Sequence, residues 1–168
     1  GDLLAMNKLA AAIVQFSAGI PFMQAGEEAG RTKQGEDNSY NLSKTLNRLD
    51  WNRMYQFQDL ISYYKGLHEV RNCFSGFYDL SEKARTRQYF YENMPEGTIA
   101  YEMEGIQGKD PWKKVVVIFH ASQDAAEFVL ENKGYRQIVS PAGIDFQGEC
   151  LEGEKVQLEE LGAYVFVK

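Results

Sequence analysis

The sequence predicts an α+β protein: a helical amino-terminal part containing an α/β unit, followed by an all-β antiparallel sandwich. Three observations lead there. Asp2 to Ser17 carries apolar side chains at helical spacing around almost the whole circumference. Gly19 to Gly26 is a short apolar run with glycine at both ends, the form of a strand buried on both faces of a parallel sheet. From about Thr86 onward the apolar pattern changes from helical spacing to simple alternation.

In the first helix Leu3, Leu4, Met6, Leu9, Ile13, Val14 and Phe16 leave only Lys8 and Gln15 to a polar strip. A surface helix of a small domain shows one apolar stripe, whereas all-round apolarity marks a helix inside a larger assembly. The chain therefore reads as part of something bigger. In isolation its first helix is expected to be covered by Phe57, Leu60, Ile61 and Tyr64 or, more fully, by a second copy of the chain. Glu27 to Arg53 shows no sustained period and is rich in Gly, Asn, Asp, Ser and Thr. Such a long irregular stretch, against typical connections of about 4–6 residues, is characteristic of functional loops.

An amphipathic helix is expected from about Gln56 to Cys73, with Phe57, Leu60, Ile61, Tyr64, Leu67 and Phe74 on one arc and Gln58, Ser62, Lys65 and Glu69 opposite. Arg71 falls within the apolar arc, to be paired with a buried carboxylate or to pass its head out to water. His68 lies at the arc's edge as a packing histidine. Strands are expected at Ile99 to Met103, Lys114 to His120, Ala126 to Leu130, Arg136 to Ser140 and Ala163 to Val167, with turns at Pro95-Glu96-Gly97, Asn132-Lys133-Gly134 and Glu152-Gly153-Glu154. Trp112 is read as an anchor of the sandwich core. The boundary between the two parts falls near Ser75 to Glu82, giving domains at 1–76 and 77–168.

Composition narrows the function. A net charge of -6 on 168 residues argues against nucleic acid, whose binding requires a basic surface. The longest apolar run, Leu9 to Phe22, is interrupted by Gln15, Ser17, Gly19 and Pro21, short of the roughly 20 apolar residues of a membrane span. Two cysteines, Cys73 and Cys150, are expected to be buried thiols. With only two histidines far apart and no Cys/His cluster, neither a metal site nor a cofactor is expected. Cytoplasmic and secreted locations both stay open.

An apolar helix, then GIPFMQAGEEAGRTKQGEDNSYN (Gly19 to Asn41), LDW (Leu49 to Trp51), a helix reading LISYYKGLHEVRN and a β region ending in LGAYVFVK resemble the carboxyl end of a type I pullulanase, a debranching glycoside hydrolase of the α-amylase superfamily. The most specific part is Gln24 to Asn41. The resemblance implies the last helix, strand and helix of a (β/α)8 TIM barrel followed by a β-sandwich domain. It also implies that the catalytic carboxylates belong to earlier barrel strands, so that no catalytic residue is expected here and the chain alone is expected to be inactive. α-Glucan would be its substrate only as part of the full enzyme.

Glu27-Glu28 is the tempting substitute for the missing pair, but neighbours at a strand end point apart and cannot readily flank one glycosidic bond. One of them is expected in a structural hydrogen bond or ion pair, with Arg31 the nearest partner. Arg31, Asp37, Asn38, Tyr40 and Asn41 lie on the loop after the expected strand, where barrel active sites are built, and form the candidate substrate-binding set. Their planar hydrogen-bonding groups and aromatic ring suit sugars, while Asx-type turns explain the same residue types. A non-catalytic α-glucan-binding or structural β-sandwich module is the alternative reading.

Overall fold

A computed structural model describes residues 2–168. Asp2 starts α1 (Leu3–Phe16): its Oδ1 accepts from the backbone N–H groups of Leu4 and Ala5 at 2.9 and 3.1 Å, two of the donors a helix leaves unpaired at its start. After a 3₁₀ turn (Glu27–Ala29) come α2 (Lys44–Asn47), α3 (Trp51–Gln56), α4 (Gln58–Cys73), α5 (Ser75–Tyr78) and α6 (Glu82–Arg85). Eight strands follow: β1 (Gln88–Phe90), β2 (Thr98–Glu104), β3 (Lys114–His120), β4 (Ala126–Val129), β5 (Arg136–Ser140), β6 (Gly143–Cys150), β7 (Lys155–Leu158) and β8 (Gly162–Val167).

Six strands form an antiparallel sheet in the order β1-β2-β3-β8-β5-β6, and β4 pairs with β7 in a separate ribbon. The two central strands explain the layering. Val115, Val117 and Phe119 of β3, with Ala163, Val165 and Val167 of β8, share a core with Leu9 and Phe16 of α1, Leu60, Leu67 and Val70 of α4, and Phe74 and Phe77. The intervening Val116, Ile118, Tyr164 and Phe166 pack on the other face against Phe128, Leu130, Val156 and Leu158 around the ribbon. Strands covered on both faces read as unbroken apolar runs, and both do here. The helical and β parts thus share one hydrophobic core, with helices on one side of the sheet and the ribbon on the other.

Several sequence expectations are corrected. Gly19 to Gly26 forms no strand: the segment is unpaired, because no neighbouring strand exists for it among the described residues. Ile20 and Phe22 are consequently 88 % and 89 % exposed. Of α1, only Leu9, Ala11, Ala12, Gln15 and Phe16 are buried, against α4 and the β3/β8 face of the sheet, while Leu3, Leu4, Met6, Ile13 and Val14 face outward. The stretch from Glu27 to Arg53 is not wholly irregular, since capped short helices interrupt it. Ser43 Oγ accepts from Leu46 N–H at 3.3 Å and Asp50 Oδ1 from Asn52 N–H at 3.1 Å.

Cys73 and Cys150 are both exposed, Cys73 as the last residue of α4 and Cys150 at the end of the edge strand β6. Arg71 is buried, yet it neither meets a carboxylate nor reaches water: its guanidinium donates to backbone carbonyls of Gln15, Ser17 and Gly19. His68 is exposed. Trp112 is an anchor, half-buried with its ring 6.2 Å from that of Phe74. Strands β1, β6 and β7 were not expected, being short or half polar.

Candidate functional site

The segment from Gln24 to Met54 folds back on itself through a turn that only glycine permits. Gly26 (φ 95°) and Gly30 (φ 62°) flank the 3₁₀ turn in the left-handed region. A Cβ on Gly26 would stand 3.0 Å from both Arg31 Cδ and Leu49 Cδ2, and one on Gly30 would stand 3.1–3.3 Å from the Phe57 ring. The Arg31 N–H closes the turn onto Gly26 O at 2.9 Å.

Both acidic residues belong to this turn. Glu27 Oε1 accepts from Gln24 N–H and Glu28 Oε2 from Gly26 N–H, each at 3.0 Å. Arg31 is not their partner, contrary to expectation. Its Nη1 donates to Ala25 O at 2.9 Å and its Nη2 to Asn47 O at 2.5 Å, because the turned backbone offers carbonyls where the carboxylates are already spent on N–H groups. Burial, and after it the negative charges of Glu27 and Glu28, push the phenol of Tyr64 on α4 up to about 12.

Asn47 ties the rest of the loop together. Its Nδ2 donates to Ser39 O at 2.7 Å and Leu42 O at 3.3 Å, and its Oδ1 accepts from Lys33 Nζ at 2.6 Å and Ser39 Oγ at 3.2 Å. Partial loss of hydration and the neighbouring Arg31 charge hold the Lys33 ammonium below the usual lysine value. Arg53 clamps the turn through Nε and Nη2 on Gly30 O at 3.0 and 2.6 Å, with its guanidinium 4.9 Å over the Phe57 ring.

A cavity of about 510 Å³ opens between this turn and the short helices, lined in part by Glu28, Arg31, Arg48, Asp50, Trp51 and Arg53. Of the five residues expected to bind substrate, Arg31 alone lines it. Asp37, Asn38, Tyr40 and Asn41 lie exposed on the outward part of the loop, Tyr40 at 82 %. Arg48, Arg53 and the exposed Trp51, which do line it, were not among the expected residues. The LDW triplet and the Ser43 and Asp50 caps were the signals that mark where α2 and α3 present them. The cavity thus offers arginine donors, carboxylate acceptors and an exposed indole face. Among the described residues no group of three or more His, Cys, Asp or Glu could hold a metal ion.

Residues 85–142 match the family described as "Pullulanase, all-beta domain". The chain is 37 % identical over 150 residues to the pullulanase of Bacillus subtilis (strain 168), covering 89 % of this chain and 21 % of that protein. Its fold superposes on the pullulanase from Bacillus acidopullulyticus with a TM-score of 0.91 at 29 % identity, covering 98 % of this chain and 20 % of the other. Against pullulanase type I from Bacillus subtilis strain 168, solved with maltose, the TM-score is 0.89 at 31 % identity, over 98 % of this chain and 23 % of that one. The chain thus spans about a fifth of the length of the relatives it matches. In sequence and in its fold of helices with antiparallel β-sheet, it is similar to type I pullulanases along nearly its whole length, as the Gln24 to Asn41 motif implied.

Proposed function

We propose that this chain is the carboxyl-terminal part of an α-1,6-glucan debranching glycoside hydrolase, supplying one wall of the substrate groove and a stabilising β-sandwich, while the catalytic carboxylates come from other parts of the polypeptide. In this reading residues 1–76 are the last helix, strand and helix of a (β/α)8 barrel and residues 77–168 are the sandwich. The observation that carries it is the unpaired Gly19–Gly26 segment with Ile20 and Phe22 almost fully exposed, together with the outward apolar arc of α1. Burying one such side chain is worth about 1.5–3 kcal/mol, so an uncovered row of them is a face awaiting strands and helices. The similarity to pullulanases, one of them solved with maltose, says what those are.

Barrel active sites are built on the loops after the strands, and here that loop carries Arg31, Asp37, Asn38, Tyr40 and Asn41. The outward residues meet sugar in this reading, and Arg31 holds the turn that presents them. The 168-residue chain alone releases no reducing ends from pullulan. Replacing the corresponding stretch of the Bacillus subtilis pullulanase with this chain yields an active chimera, in which alanine at Arg31, Asn38 or Tyr40 raises KM several-fold. An inactive chimera that is folded contradicts the reading, and unchanged kinetics in all three variants assigns these residues to turn chemistry alone.

A further inference from the structure

The carbonyl end of α1 is held from two directions by side chains the function has not so far used. The backbone N–H of Ser17 reaches Ile13 O at 3.0 Å, which leaves the carbonyls of Val14, Gln15, Phe16 and Ser17 beyond the helix's own donors. Arg71 of α4 donates through Nη1 to Gln15 O and to Ser17 O (3.1 Å), and through Nη2 to Gly19 O. Tyr101 of β2 donates its hydroxyl to Phe16 O. Three of the four orphan carbonyls, and that of Gly19 two residues further on, are thus taken by two side chains from different elements.

Arg71 is only 3 % exposed and makes no ion pair among the described residues, so its charge is answered by the negative end of α1 and by these carbonyls. That is a costly arrangement for anchoring a helix by packing alone, because a buried cation without a carboxylate is tolerated only where its donors are satisfied. The chain leaving the clamp is Gly19 to Gln24, which has no strand partner here and leads directly into the Gly26–Arg31 turn. Tyr101 packs in tilted contacts against Phe90 and Phe119 within the sheet, its ring centroid 5.5 and 6.3 Å from theirs, so its hydroxyl is held by the β part.

We propose that Arg71 and Tyr101 are positioning residues for the substrate loop: together they lock the Phe16–Gly19 backbone and so set where the Gly26–Arg31 turn stands, coupling the β-sheet to the groove. The link to substrate rests on the debranching reading, whereas the clamp itself does not. Hydrogen exchange on the 168-residue chain tests the clamp. Y101F, which removes one hydroxyl, raises exchange at the amides of residues 17–31 several-fold. R71Q raises it about tenfold, and R71K recovers little because one ammonium cannot span three carbonyls. Amides of β3 and β8 stay as protected as before in all three. A uniform rise across the chain, or no change at 17–31 in a folded Y101F protein, overturns the proposal. In the pullulanase chimera Y101F raises KM for pullulan several-fold at unchanged kcat, and unchanged KM overturns the coupling to substrate. Absence of turnover in the unsubstituted chimera is the separate failure of the debranching reading, and exchange then decides the clamp by itself.

Discussion

Two apolar runs of similar character meet opposite fates in this molecule. Val115 to Phe119 in β3 lies between β2 and β8, with helices over one face and the β4/β7 ribbon over the other, and its residues are essentially inaccessible. Gly19 to Gln24 is also largely apolar, yet it pairs with no strand among the described residues, and Ile20 and Phe22 stand in solvent. The difference lies in the availability of partners and not in the run itself. Apolarity records what surroundings a segment needs, and here only one of the two segments has those surroundings among the described residues.

The largest test of that contrast sets one phenylalanine against another. Phe166 of β8 is fully buried, and Phe166→Ala is expected to cost about 3–5 kcal/mol in urea unfolding, the usual range for emptying such a site. At protein concentrations low enough to keep the chain monomeric, Phe22→Ala is expected to change the same measurement by less than about 0.5 kcal/mol. Comparable costs at the two positions would mean that the Gly19–Gln24 segment is packed after all.

A smaller effect is expected where the free segment turns into the loop. Gly30 sits at φ 62° against the Phe57 ring, so Gly30→Ala is expected to cost about 1–3 kcal/mol and to loosen Arg53 from its carbonyl. Gly19 has open space around it, so Gly19→Ala is strained by its φ of 126° alone and not by a neighbour. Protection of the Gly26–Arg31 amides reports the difference between the two alanine variants.

The smallest effect is a pH dependence. Tyr64 joins α4 to α1 through a 2.8 Å hydrogen bond to Asn7 Oδ1, and its phenol is raised from 10.0 to about 12, first by burial and then by Glu27 and Glu28. The folded chain therefore keeps a proton that the unfolded chain releases, so this contribution is intact below pH 10 and is lost as pH rises toward 12. In a urea titration Y64F loses less stability than the parent across that window. Equal slopes would place the alkaline sensitivity elsewhere, for example on Tyr164, which is raised to about 12 in the same way.

Much of the β part was legible in the sequence. The bounds of β3 and β5 were read directly: β3 is an unbroken run of five apolar residues, and β5 carries the β-branched pair Ile138 and Val139 between turn signals. β7 was missed because Lys155–Leu158 offers a single polar/apolar alternation, and β6 because Asp145, Gln147 and Gly148 dilute an exposed edge strand. Helix α4 was found within two residues, while the burial of Tyr63 and Val70 widened its apolar arc. The loop was legible as a loop and as a family motif, but its wiring was not. Nothing in composition says that Arg31 and Arg53 spend their guanidinium groups on carbonyls, or that Asn47 gathers four partners, since such bonds depend on where the backbone turns. Arg71 shows the same limit: its place on the apolar arc was plain, but a carbonyl-lined end of another helix leaves no trace near it in sequence.

The central claim is that the outward arc of α1 and the Gly19–Met23 segment form a face meant for further chain. Size-exclusion chromatography with light scattering on the 168-residue protein tests it most directly. Self-association through this face is expected, with a charged I20D/F22D variant returning to a monomer of unchanged circular dichroism. A parent protein that is a stable monomer and binds no hydrophobic dye would contradict the account.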